Sequence, residues 1–166
     1  RRQLFETFNL HGDYLQVQAR GIAAAEFLGD YGFELSRSFK ALKLWMSLRE
    51  HGVERFGALV DQHIGMARAM AERIAAEPRL ELMAPVAINI VCFRYRGAVG
   101  SEAELRALNT EIMLRIQESG VAMPTDTTLH GRHSLRAAIN NHRTRPEDLD
   151  LLLDEVLRHG MALQGC

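Results

Sequence analysis

One run of polar residues combines groups that could bind an anion. Ser36-Arg37-Ser38 stands at the predicted start of a helix. Free main-chain amides, two hydroxyls and a guanidinium together favour a phosphate or a carboxylate at such a position. The alternative is a plain N-cap at Ser36, followed by a solvated basic face.

A tyrosine in a glycine-bearing loop is a candidate proton donor. Tyr14 lies within a stretch, Asn9 to Gly32, that has glycines at positions 12, 21, 29 and 32 and no sustained period. A phenol keeps its proton at neutral pH and can donate it in a closed site. The chemistry of the residue alone favours the simpler interpretation, in which the ring anchors the loop.

An arginine on an alternating strand could bind a carboxylate. Leu135, Ala137 and Ile139 share one face of the predicted strand, so Arg136 points to the other face, beside the small Ala138. That leaves room for the planar guanidinium to take a carboxylate. The alternative is an ordinary surface arginine on a half-exposed strand.

Other catalytic classes are not favoured, and no metal site is expected. His130 and His133 straddle a predicted turn without a carboxylate or cysteine at ligand spacing. His51 and His159 each precede a glycine at a predicted helix end, where a cation complements the helix dipole. The sequence has no Gly-x-Ser-x-Gly nucleophile turn, no phosphate loop and no Gly-x-Gly-x-x-Gly.

Composition predicts a cytoplasmic globular domain that binds neither nucleic acid nor membrane. The 166 residues include 20 basic and 21 acidic side chains, for a net charge of −1. The longest apolar-leaning run without a charge, 82–93, falls short of the roughly 20 residues that span a bilayer. Two cysteines form no disulfide framework, and no signal-peptide pattern is present. The chain opens at Arg1 without a methionine, so we expect it to be a piece of a longer protein.

The periodicity predicts an α/β fold of the α+β kind, in the order helix, helix, strand, strand, helix, strand, strand, helix. Arg1 to Phe8 precedes this as one or two helical turns, and Asn9 to Gly32 is predicted to be a long loop. Because the strands are too close for crossover helices, the sheet should be mostly antiparallel, with helices packed on one face. The predicted elements are helices from Ser36 to Gly52 and along 56–74, strands at 80–83 and 87–95, a helix from the capping box Ser101–Glu104 to Gly120, strands at 121–128 and 133–140 around a His130-Gly131 turn, and a helix from the capping box Thr144–Glu147 to Gly160.

The stretch 35–45, Leu-Ser-Arg-Ser-Phe-Lys-Ala-Leu-Lys-Leu-Trp, resembles a signature of the pyridoxal-phosphate-dependent group II amino-acid decarboxylases, the aromatic-amino-acid and glutamate decarboxylase family. Agreement continues through 49–53, 91–94 and 135–139, in order along nearly the whole chain. The resemblance implies the carboxy-terminal part of a fold-type I enzyme. Residues 1–35 would be the end of the large domain and a mobile active-site loop, 36–78 two linking helices, and 79–166 the small C-terminal domain.

The resemblance also implies roles for the three candidates. Tyr14 matches the loop tyrosine that returns a proton after carbon dioxide has left, and Arg136 matches an arginine that meets the substrate carboxylate in glutamate decarboxylase. Ser36 lies near the cofactor phosphate of the partner subunit. The implied assembly is a homodimer with a shared active site, acting on an amino acid with pyridoxal 5'-phosphate.

One departure limits what this segment is expected to do alone. The family's cofactor-binding lysine follows a histidine upstream of the region that this chain matches, whereas Lys40 and Lys43, the only lysines here, follow Phe39 and Leu42. The chain alone is therefore expected to be inactive. Two alternatives remain open: a non-catalytic dimerisation or small-molecule-binding module, and a transaminase or aldehyde-forming relative. The sequence does not select the amino acid.

Overall fold

The computed structural model describes residues 1–8, 28–32, 38–98 and 100–165. They belong to two compact units, Arg1–Glu50 and His51–Cys166. The elements, in chain order, are α1 (Arg2–Phe8), a short 3-10 helix (Leu28–Tyr31), α2 (Lys40–His51), α3 (Val53–Ala76), β1 (Leu80–Leu82), β2 (Ile90–Tyr95), α4 (Glu102–Ser119), β3 (Thr125–Leu129), β4 (Arg132–Ala138) and α5 (Pro146–Gln164). From α2 onward this order confirms the prediction, and α1 confirms the expected turns at the start.

The first unit holds α1, the 3-10 helix and most of α2. The ring of Phe5 in α1 lies 5.8 Å from that of Tyr31. Helix α2 has no buried residue. Large apolar side chains are exposed along it, with Trp45 59% and Met46 57% accessible. This exposed apolar helix is unlike the surface of an ordinary monomer, where such side chains occur singly.

Helix α3 carries the apolar stripe that the sequence predicts. His63, Met66, Ala67, Met70 and Ile74 are its buried residues, at helical spacing on one side. The helix ends at Ala76 because Pro78 disfavours the helical conformation at the preceding residue.

The second unit is built on a four-stranded sheet of order β1-β2-β4-β3, and every neighbouring pair is antiparallel. The β3–β4 hairpin closes through His130 and Gly131, both with positive φ (50° and 78°). Two such residues fit the tight turn whose twist matches the twist of the strands. The predicted turn is therefore confirmed.

The core lies on one face of this sheet. Val91, Phe93 and Leu135 are completely buried and belong to one cluster with apolar residues of α3, α4 and α5. Side chains of alternate residues leave the sheet on opposite sides, so this face takes the odd-numbered residues of β2 and β4. The helices pack on one face, as the sequence predicts.

A side chain of helix α4 bonds to β2 where the pairing of β2 with β4 ends. Their pairing runs from Ile90↔Ala138 to Phe93↔Leu135. Beyond it, the completely buried Asn109 of α4 takes both main-chain groups of Tyr95, accepting from its N–H and donating to its carbonyl, each at 2.8 Å. One side-chain amide thus replaces a neighbouring strand.

Helix α5 corrects two predictions. Its N-cap is Arg145 rather than Thr144, and the carboxylate of Asp148 accepts the Arg145 N–H at 2.9 Å. The helix does not end at Gly160 but continues to Gln164, with Gly165 as its left-handed cap. Gly160 instead allows a close contact between α5 and Tyr95, because the ring of Tyr95 occupies the space that a β-carbon would need.

Strand starts were also predicted too early, since β2 begins at Ile90 and β3 at Thr125. The capping box of α4 is confirmed, with Ser101 and Glu104 bonding each other's main-chain N–H groups. No helix in the described ranges is long and apolar enough to cross a membrane.

Candidate substrate-binding face

Of the three predicted site residues, the structure describes only Arg136. It lies in β4 and is half-buried. Tyr14 and Ser36 lie outside the described residues. Their roles, and the N-cap at Ser36, stay predictions.

Arg136 lies on the sheet face opposite the helices, which we call the polar face. Register places Cys92 of β2 and Thr125 of β3 on either side of it. Ile90, Leu129 and Ala138 also lie on this face, and its other residues are Glu81, Cys92, Arg94, Thr125, Thr127, Arg132, Ser134 and Arg136. The orientation predicted for Arg136 from the apolar alternation is therefore confirmed.

The guanidinium of Arg136 is available to an anion. Its only side-chain hydrogen bond within the described ranges is a long one, 3.5 Å from Nη1 to the hydroxyl oxygen of Thr125. No carboxylate among the described residues forms an ion pair with it. A half-buried guanidinium without a carboxylate is suited to bind one from a ligand.

The other two arginines of the polar face are engaged. Arg94, whose side chain is 5% exposed, donates from Nε to Glu81 at 2.8 Å and from Nη1 to Glu102 at 2.7 Å. Glu81 also accepts from Arg132 at 2.5 Å. Glu102, the first residue of α4, accepts the main-chain N–H of His133 at 2.8 Å. We call these four side chains the arginine–glutamate network.

The charges of the network stabilise one another. The hydrogen bond from Arg94 lowers the pKa of Glu102, and the N–H of His133 adds to this. Burial alone would raise the pKa of Glu81, but Arg132 and Arg94 outweigh it, so that pKa is lowered too. Burial likewise opposes the charge of Arg94, yet its two carboxylates raise its pKa. The stabilisation from both carboxylates is complete above the ordinary glutamate pKa and is lost as the pH falls through the lowered values.

Sequence reasoning missed this network. The sequence singles out Arg94 only through the resemblance at 91–94, and Glu102 only as part of the capping segment of α4. The alternation of β2 was a usable signal, because it places Arg94 on the same face as Arg136 once the β2–β4 register is known. The role of Glu102 had no local signal.

The histidines that the structure describes do not gather into a site. His130 is exposed in the turn, whereas His133 is 1% exposed and its Nε2 lies 3.1 Å from Asp126. Within the described ranges no three His, Cys, Asp or Glu residues are placed to hold a metal ion. His51 is the last residue of α2, as predicted.

The prediction that His159 lies at a helix end is wrong. It is buried within α5, five residues before the helix ends. Burial and the charge of Arg158 lower the pKa of its imidazole, which favours the neutral ring over a dipole-complementing cation.

An open cavity of about 570 Å³ lies along the first turns of α3. His51, Arg55, Phe56 and His142 are among its lining residues, and neither lysine of the chain is. It does not include Arg136.

Known proteins are similar to this chain in sequence and in fold. The family model "Pyridoxal-dependent decarboxylase conserved domain" matches residues 1–96. Tryptophan decarboxylase 2 of Oryza sativa subsp. japonica is 28% identical over 162 residues, covering 95% of this chain and 33% of that protein. Phenylacetaldehyde synthase of Petunia hybrida is 30% identical over 137 residues, covering 78% and 27%. The crystal structure of Oryza sativa TDC with PLP and tryptamine superposes with a TM-score of 0.74 at 26% identity, covering 82% of this chain and 29% of that one.

The fold and these matches define the class of protein to which this segment belongs. The chain belongs to the pyridoxal-dependent decarboxylase family, as the resemblance in the sequence indicates. Pyridoxal phosphate is the cofactor of that family. The chain spans about a third of the length of the curated relatives that it matches.

Proposed function

We propose that this chain is the C-terminal segment of an amino-acid decarboxylase that releases carbon dioxide from an L-amino acid and leaves an amine. The observation that carries the proposal is Arg136, a half-buried guanidinium without a carboxylate among the described residues. It lies in a chain of which 82% is covered by the match to the Oryza sativa TDC structure with PLP and tryptamine.

The described residues fit the substrate side of such a site rather than the cofactor itself. Arg136 offers the group that a substrate carboxylate requires. Lys40 and Lys43 both lie on the exposed α2, and neither follows a histidine as the family's cofactor-binding lysine does. We therefore propose that the lysine lies outside this chain and that the segment alone is inactive.

The bound cofactor supplies the electron sink for cleavage of the carbon–carbon bond. The residues of this chain would hold the substrate and return a proton. Arg136 orients the substrate carboxylate through its two-pronged guanidinium. When carbon dioxide leaves, the bonding electrons stay on the α-carbon, and the phenol of Tyr14 donates its proton there and regains one from solvent.

Arg136 positions the substrate through a contact of moderate strength, so losing the contact weakens binding without abolishing it. If it holds the leaving carboxylate, that group loses its charge in the reaction, so a stronger grip on the substrate would raise the barrier. Ser36 would lie near the cofactor phosphate of the partner subunit.

Replacing Arg136 by glutamine tests the substrate contact. In the complete, cofactor-loaded protein, Arg136→Gln is expected to raise KM for the amino acid roughly 30-fold, because one charge-assisted hydrogen-bonding partner is lost. Arg143→Gln is the control, because Arg143 is exposed and its substitution removes the same charge. An unchanged KM in Arg136→Gln would contradict the assignment.

Replacing Tyr14 by phenylalanine tests the reaction itself. In the complete protein, Tyr14→Phe is expected to cut amine output at least about tenfold, because the general acid is lost. It is also expected to consume dissolved oxygen and release aldehyde, ammonia and hydrogen peroxide, because in related enzymes a phenylalanine at this position goes with oxidative deamination. Amine and peroxide are measured in the same reaction. Unchanged output of both would remove Tyr14 from the mechanism.

The assembly proposed here is a cytoplasmic homodimer with a shared active site. The apolar side chains exposed along α2 support a surface there that the rest of the protein or a second copy covers, because a stable protein rarely leaves such a surface bare. In this proposal 1–35 form the end of the large domain and the active-site loop, 36–78 the linking helices and 79–166 the small domain.

An aldehyde-forming reaction is the second candidate. It is favoured by the 30% identity to phenylacetaldehyde synthase of Petunia hybrida. The products of the unmodified protein separate the two reactions, because the aldehyde-forming reaction yields hydrogen peroxide in step with product.

A further inference from the structure

Three arginines lie along the polar face, and within the described part of the chain two of them are paired with carboxylates. Arg94 and Arg132 are paired with Glu81 and Glu102, so these four charges sum to zero. Arg136 has no such partner among the described residues. The face therefore separates arginines that hold the structure together from one that can bind an anion.

Glu102 joins this face to the start of β4. Its carboxylate takes Nη1 of Arg94 with both oxygens, at 2.7 and 3.0 Å, and also accepts the main-chain N–H of His133 at 2.8 Å. One side chain of α4 thereby holds β2 through a charge and β4 through its backbone.

The hydrogen bond between Glu102 and His133 lies beyond the last residue pair that joins β4 to β2. The β2–β4 pairing ends at Phe93↔Leu135, and the main-chain groups of Tyr95 are taken by Asn109. Arg136 follows His133 by three residues, about 10 Å along an extended strand. We take a shift at the start of β4 to be passed along the strand to Arg136, whose own pairing with Cys92 and Thr125 limits its size.

We propose that Glu102 is a positioning residue for Arg136, acting through the main-chain N–H of His133. The proposal rests on the proposed function, because Arg136 is taken to meet the substrate carboxylate. Glu102 itself touches no substrate. It sets where β4 begins, and so where the guanidinium of Arg136 is presented.

The test compares Glu102→Ala with Glu102→Gln and Glu104→Ala in the complete, cofactor-loaded protein. Glu102→Ala is expected to raise KM about tenfold and to leave kcat within about twofold of the unmodified protein's value. A tenfold change lies within the range measured for residues that act through a neighbour. Glu102→Gln should restore KM, because its amide oxygen still accepts from His133. Glu104→Ala removes the capping box of α4 and lowers the melting temperature, but it touches no strand residue, so KM should not change.

A second readout needs no activity. Main-chain amide exchange of residues 133–136 is expected to be faster in Glu102→Ala and unchanged in Glu102→Gln and Glu104→Ala. Should Glu102→Ala fail to fold, Glu102→Asp gives the same comparison, because a side chain one methylene shorter cannot span Arg94 and His133 together.

Three results would overturn the proposal: an unchanged KM in Glu102→Ala, an equal rise of KM in Glu104→Ala, or a failure of Glu102→Gln to restore KM. The KM of Arg136→Gln shows whether the positioning role of Glu102 or the proposed substrate contact has failed. If Arg136→Gln raises KM and Glu102→Ala does not, only the positioning role is wrong. If Arg136→Gln leaves KM unchanged, the substrate contact itself is wrong.

Discussion

Replacing Gly160 by alanine is expected to lower the free energy of unfolding by about 2 kcal/mol, although alanine is the better helix former. A β-carbon at this position of α5 would lie 2.6 Å from two ring carbons of Tyr95. Tyr95 is 2% exposed and belongs to the core cluster, so its ring cannot retreat without moving its neighbours. Chemical denaturation of the chain, followed by circular dichroism, measures the change.

Gly65→Ala is the matched control for this substitution. Gly65 also lies inside a long helix, α3, but no atom lies within 4 Å of a β-carbon built there. Helix propensity then acts alone, and we expect Gly65→Ala to stabilise the chain by about 1 kcal/mol. If the two variants changed stability in the same direction, the contact between Gly160 and Tyr95 would not limit the packing of α5.

Replacing Asn109 by leucine is expected to cost roughly 3 kcal/mol, one of the larger effects available in this chain. The side chain is completely buried and satisfies the N–H and the carbonyl of Tyr95 at 2.8 Å each. Leucine has a similar size but no polar atom, so it leaves two main-chain groups buried without partners. The free energy of unfolding from urea titration measures the loss.

The matched control is Gln117→Leu, on the same helix. The Gln117 amide also donates to a main-chain carbonyl, that of Pro124 at 2.7 Å, but in a half-exposed position. Water can replace that bond, so we expect a cost below about 1 kcal/mol. Equal losses in the two variants would show that burial of the Tyr95 groups is not what makes Asn109 important.

Local signals predicted those parts of the fold whose cause lies within a few residues. The capping box of α4 needs only Ser101 and Glu104, and the hairpin needs only the two residues between β3 and β4. The orientation of Arg136 followed from the alternation of its neighbours, because a strand fixes side-chain direction residue by residue. These predictions are confirmed.

Features that depend on distant partners could not be predicted in the same way. A glycine after a histidine is typical of a helix end, but at Gly160 the ring of Tyr95, 65 residues earlier in the chain, decides the outcome. Glu102 similarly has a local use in the first turn of α4, which hides its contacts with Arg94 and His133. Tyr14 and Ser36 stay predictions.

The two outer strands of the sheet determine how copies of this chain can meet. At one border β1 is only three residues long, and at the other β3 reads Thr-Asp-Thr-Thr-Leu. Short or polar border strands resist pairing with a strand from another molecule. We therefore expect the sheet not to lengthen by strand addition. Contacts between molecules at this sheet should instead form through side chains, because its border strands offer little main-chain surface for pairing.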